Sequence, residues 1–152
     1  IMGSTDVDGD GVPELVVMNA YLPSNLAKDR LQDLVVYSWQ NGQLVKKGER
    51  YGSSVSYPEG WQILVADVDG DGKKEIILLA EDGLHVLKHG PSGWIELFYH
   101  SLPFEDTIGA RDLKVASQPD GSSMIVYSLG KEAPSAKGFR AYLLHFKRGG
   151  PR

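Results

Sequence analysis

Apolar residues fall in short runs along the whole chain, separated by polar turns rich in glycine. Leu15-Val16-Val17-Met18 and Ile76-Ile77-Leu78-Leu79 are continuous runs, the mark of short buried strands rather than of helices. The first pattern predicts strands over Glu14–Met18 and Asp33–Trp39, the turn Gln40-Asn41-Gly42-Gln43, and a polar strand from Leu44. The second predicts strands over Glu75–Ala80, Leu84–Lys88 and Trp94–His100, joined by Asp82-Gly83 and by Gly90-Pro91-Ser92-Gly93. Asn-Gly and Asp-Gly are hairpin turns, because tight turns between twisted strands need positive backbone angles.

A third copy is decayed. Leu113–Gly121 aligns with Ile63–Asp71, Met124–Leu129 stands for its second strand, and Phe139–Lys147 for its third, ending at Arg148-Gly149-Gly150. The chain therefore divides into repeats over 1–60, 61–111 and 112–152, each of up to four strands. Four-stranded units repeating in this way predict an all-β fold of β-propeller-type blades. There are nearly three of them, the last stopping before its outer strand. Propellers close with about four to eight blades, so the expectation is an incomplete propeller or part of a larger assembly.

Between the first two strands of units one and two stands the same acidic loop. It reads Asp6-Val7-Asp8-Gly9-Asp10-Gly11-Val12-Pro13-Glu14, then Asp67-Val68-Asp69-Gly70-Asp71-Gly72-Lys73-Lys74-Glu75, 61 residues on. Each puts four carboxylates at positions 1, 3, 5 and 9. So much like charge in one turn requires a cation, and hard oxygens at alternate positions suit Ca²⁺, which takes about six to eight of them. The expected ligands are the side chains of Asp6, Asp8, Asp10 and Glu14 with the carbonyl of Val12, and those of Asp67, Asp69, Asp71 and Glu75 with the carbonyl of Lys73. That makes two ions per chain, with a structural role. In the third copy Ser117 and Pro119 replace the first two ligands and no glutamate closes the loop, which predicts a plain β-turn without metal.

An EF-hand is excluded by position 12, which needs a bidentate glutamate and a helix beyond it; here it is Val17 or Leu78, inside a strand. The Gly-Gly-x-Gly opening of the calcium-binding β-roll is absent. The loops, set between first and second strands, resemble the FG-GAP repeats of integrin-α-type propellers and their bacterial relatives. Tyr51-Gly52-Ser53-Ser54-Val55 is similar to that family's Phe-Gly element, while Leu79-Ala80-Glu81 stands in place of its Gly-Ala-Pro element. The resemblance implies the propeller fold and the metal.

The charge agrees with this assignment. Twenty acidic and 16 basic residues give −4, and eight of the acids lie in the two loops. No basic field for nucleic acid is left. No apolar run approaches the roughly 20 residues of a membrane span, and zero cysteines exclude disulfides and thiol chemistry. The chain opens on Ile1, and is expected to be a processed product or a piece of a longer one. His85, His89, His100 and His145 have no spacing that suggests a catalytic triad or a zinc site, so an enzyme is not expected.

The expected function is a calcium-binding structural or adhesion module of a secreted or cell-surface protein, where calcium is plentiful. The alternative is a carbohydrate-binding propeller domain of a lectin or polysaccharide-active enzyme. Either way a protein or glycan partner is expected on the face opposite the calcium loops, and other copies or missing blades at the open edges. Tyr21, Tyr57, Trp61, Phe104, Arg111 and Lys131 are the residues of the long loops best suited to such contact.

Overall fold

The computed structural model describes residues 3–18, 32–51, 62–80, 83–90, 93–101, 110–129, 140–147 and 150–151. These form twelve strands in three antiparallel sheets, and none of them is helical. The first sheet runs β1 (Gly3–Thr5), β2 (Glu14–Met18), β3 (Gln32–Gln40), β4 (Gln43–Tyr51). The second runs β5 (Gln62–Ala66), β6 (Glu75–Ala80), β7 (Gly83–Gly90), β8 (Gly93–Ser101). The third runs β9 (Ala110–Ser117), β10 (Ser123–Leu129), β11 (Arg140–Lys147), β12 (Gly150–Pro151). Strand order follows chain order in each, so every sheet is an up-and-down meander. Among the described residues no helix is long and apolar enough to cross a membrane.

The continuous apolar run of β6 now has its physical reason. Alternate side chains of a strand point to opposite faces, and the middle sheet packs on both. Ile76 and Leu78 join Leu87 and Ile63 in a core shared with Val7, Val16, Leu34 and Val36 of the first unit. Ile77 and Leu79 join Leu84 and Val86 in a second core with Leu113, Ile125, Tyr127 and Phe146 of the third. A strand buried on both faces has no polar face to alternate with. Aromatic contacts add to the second core: Phe98 meets Phe146 edge-on, and His100 Nδ1 of β8 lies 2.6 Å from the Tyr127 hydroxyl of β10.

The turn Gln40-Asn41-Gly42-Gln43 is present, with φ of 50° at Asn41 and 81° at Gly42, the two positive angles that a tight hairpin needs. Two expectations are corrected. The third sheet has a fourth strand, since Lys147 and Phe146 of β11 pair with Gly150 and Pro151. Glycine and proline carry no strand signal, and proline is tolerated at a sheet edge, so the pattern gave no sign of it. Arg111 lies within β9 and not in a loop. Tyr21, Tyr57, Trp61, Phe104 and Lys131 lie outside the described residues.

Candidate metal centres

Each acidic loop joins the first two strands of its sheet, β1 to β2 and β5 to β6. The valine at position 2 anchors it. Val7 and Val68 are buried in the two cores, one in each, and this holds the flanking aspartates at the rim of the sheet. Gly9 and Gly11 have φ of 77° and 85°, and Gly70 and Gly72 have 74° and 90°. A side chain at these positions would be strained, so the alternating Asp-Gly pattern curls the chain back toward its own carboxylates.

The carboxylates organise the loop by accepting its backbone amides, the first aspartate through both oxygens and the others through one. Asp6 Oδ1 and Oδ2 accept the Gly9 and Gly11 amides at 2.7 and 2.9 Å. Asp8 Oδ1 accepts the Asp10 amide at 3.2 Å, and Asp10 Oδ1 accepts the Val12 amide at 2.8 Å. Glu14 Oε2 reaches back across the loop to the Val7 amide at 2.9 Å. The second loop repeats each bond: Gly70 and Gly72 donate to Asp67, Asp71 to Asp69, Lys73 to Asp71, and Val68 to Glu75.

Within each of the triads Asp6, Asp8, Asp10 and Asp67, Asp69, Asp71, one oxygen per residue lies within 4.8 Å of the others, close enough to hold one ion. Glu14 and Glu75 are 0% exposed, and Oε1 of each is buried without a hydrogen-bond partner. A buried carboxylate oxygen that accepts no hydrogen bond is costly. Burial pushes the Glu14 and Glu75 carboxyls above their ordinary range, against the Val7 and Val68 amides that pull them down. The Val12 amide and Lys47 hold Asp10 below its usual range, as Lys88 and the Lys73 amide hold Asp71. The donor set is all oxygen with no imidazole or thiolate, which suits Ca²⁺, Mg²⁺ or Mn²⁺ and not zinc or copper.

One lysine that the motif did not reveal completes each site. Lys47 Nζ lies 2.8 Å from Asp8 Oδ2, 3.0 Å from Asp10 Oδ2 and 3.8 Å from Glu14 Oε1. Lys88 Nζ lies 2.7 Å from Asp69 Oδ2, 2.6 Å from Asp71 Oδ2 and 3.3 Å from Glu75 Oε1. The last contact is close enough to attract but lacks the alignment of a hydrogen bond. The loops also touch one another. Lys74 Nζ donates to Thr5 Oγ1 at 3.0 Å, the Lys73 side chain lies over Gly9, and Ser123 Oγ donates to the Asp67 carbonyl at 3.3 Å.

The third connection, between Ser117 and Ser123, is three residues shorter than the other two. It is a β-turn closed by the Gly121 amide on the Gln118 carbonyl at 3.0 Å, the turn expected there. The histidines are dispersed among structural contacts. His85 Nδ1 lies 2.6 Å from Glu96 Oε1, His89 packs against Trp94, and His145 Nε2 lies 2.9 Å from Ser122 Oγ.

Residues 6–78 match the family model of the FG-GAP-like repeat. The match takes in both acidic loops, and the resemblance drawn from them holds over that span. No curated protein and no solved structure matches the chain.

Proposed function

We propose that the chain is a calcium-rigidified, β-propeller-type module of a secreted or cell-surface protein, serving adhesion or assembly rather than catalysis. The observation that carries the reading is the buried Oε1 of Glu14 and of Glu75, each beside an aspartate triad and without a hydrogen bond, with only the Lys47 or Lys88 ammonium near it at 3.8 or 3.3 Å. A fold tolerates such an oxygen where a cation meets it. Calcium would take Asp6, Asp8, Asp10, Glu14 and the Val12 carbonyl in one loop, and Asp67, Asp69, Asp71, Glu75 and the Lys73 carbonyl in the other. Bound there, it ties the first two strands of each sheet together at the point where the valine enters the core.

The blade reading is supported by the packing. The first strands β5 and β9 of neighbouring sheets approach each other, as do the last strands β4, β8 and β12. Blades set about an axis would bring first strands to first strands and last to last in the same way. Val126 and Leu143 face each other across β10 and β11 and are exposed, the latter by 65%. Further blades or another copy of the chain would cover this face, and the partner-binding surface would lie opposite the calcium loops. The test is calcium titration by calorimetry with melting curves in EDTA and in calcium. Two sites per chain and a calcium-dependent melting temperature are expected. Identical curves in both media, with no heat of binding, would sink the proposal.

A further inference from the structure

The lysines of the two acidic loops come from different strands. In the second sheet Ile76 pairs with Leu87, so Lys88, the next residue of β7, stands opposite Glu75. The corresponding residue of the first sheet is Ser38, the partner of Glu14. Lys47 instead is the extra residue of a bulge in β4, where the register steps from Val36–Gly48 to Tyr37–Lys46. The second sheet has the same bulge in β8, where the register steps from Val86–Phe98 to Leu87–Glu96, and the extra residue there is Leu97. The pair of positions thus holds serine and lysine in one sheet, lysine and leucine in the other. The position that carries the lysine has been exchanged, yet its ammonium lies on the same three carboxylates, those at loop positions 3, 5 and 9.

An incidental surface ion pair does not require two routes to one point. Each ammonium sits on Oδ2 of positions 3 and 5 and beside Oε1 of position 9, the oxygens that the loop's own backbone bonds leave over. These are the oxygens that a divalent ion needs. A cation in the loop and an ammonium at under 3 Å from its ligands would repel each other strongly in a partly buried site.

We propose that Lys47 and Lys88 are tethered counter-ions that hold the loops closed without metal and are displaced by calcium, so that they set its affinity. The inference rests on the calcium reading of the loops. Because the lysine must be expelled, binding is weakened, and the sites fill only where calcium is abundant. Because it stays attached, the three carboxylates it contacts do not spring apart when calcium leaves.

The test reads one loop at a time. In an Asp8→Ala background, which disables the first loop, Lys88→Met is expected to tighten calcium binding about tenfold or more by calorimetry, since one opposing charge is gone. In EDTA the same substitution lowers the melting temperature. Moving the lysine to the bulge, with Lys88→Ser and Leu97→Lys together, restores both values toward those of the Asp8→Ala parent. A second measurement needs no variant. Acylation of the wild-type protein by an amine-reactive ester, read by mass spectrometry, should label Lys47 and Lys88 several-fold faster in calcium than in EDTA. Calcium binding with unchanged affinity in Lys88→Met, or labelling that calcium leaves unchanged or slows, overturns the displacement while leaving the calcium reading intact. A parent and a Lys88→Met variant that both fail to bind calcium overturn both. A silent parent beside a variant that binds supports the inference in its strongest form, with the ammonium excluding the ion.

Discussion

The Val68 amide donates to Glu75 Oε2 at 2.9 Å, and Val7 to Glu14 at the same 2.9 Å. One hydrogen bond thus shuts each loop, while the other carboxylate oxygen accepts no hydrogen bond and faces the Lys47 or Lys88 ammonium. It also joins the residue that enters the core to the residue that begins the next strand, so closure of the loop and packing of the sheets are linked.

Loss of a ligand should cost calcium-dependent stability. At free calcium 100-fold above Kd, one independent site contributes about 2.7 kcal/mol, or a shift of about 5–10 °C for a chain of this size. Asp69→Ala and Asp8→Ala are each expected to remove a shift of that order in calcium. Melting curves in calcium and EDTA check this, and a calcium response equal to wild type in both variants would remove the structural role.

Glu75→Gln separates the closing bond from the charge. The amide oxygen can still accept the Val68 N–H, while the buried negative charge is gone. Burial pushes the Glu75 carboxyl up, so at neutral pH the ionised group is a cost to the metal-free fold. The variant is expected to melt higher than wild type in EDTA and to gain less from calcium. A lower melting temperature in EDTA would mean that attraction to Lys88 outweighs burial.

The pH dependence follows from the same groups. The folded Glu14 and Glu75 carboxyls lie above their ordinary 4.5 because burial disfavours the charged form. Their contribution to metal-free stability is present below that ordinary value and lost as pH rises through the folded one. Asp10 and Asp71 are held below 3.8, by the Val12 amide and by Lys88 respectively, so their contribution is present above it and lost as pH falls through the folded value. Calcium bound as proposed would need the glutamates ionised. The difference in melting temperature between calcium and EDTA should therefore shrink as pH falls from neutral toward the raised glutamate range. A difference that stays constant down to pH about 4.5 would mean that the glutamates are not ligands.

The double burial of β6 gives a test of the packing. Leu78 lies in the core shared with the first sheet and Ile77 in the core shared with the third. Leu78→Ala and Ile77→Ala should each cost about 2–5 kcal/mol. Amide exchange should then quicken in β2 and β3 for Leu78→Ala, and in β10 and β11 for Ile77→Ala. A cost below about 1 kcal/mol for either would contradict full burial.

The sequence by itself determined what is local. Apolar runs, Asn41-Gly42 and the Asp-Gly alternation depend on backbone angles and side-chain periodicity within a few residues. The second to fourth strands of the first two units and the acidic loops were therefore legible, and so was the short third turn. The tertiary structure decided what depends on register. Lys47 reaches its loop because a bulge in β4 turns it there, and Lys88 because β7 sets it opposite Glu75. A shift of one residue in a strand sends a side chain to the other face, and bulges re-aim side chains without any mark in composition. For the same reason β12, two residues of glycine and proline, became visible only through its pairing with β11. Charge placed four residues or fewer apart can be read along the chain. The ammonium that balances it comes from 37 and 17 residues away from Asp10 and Asp71, and only the folded sheets bring it there.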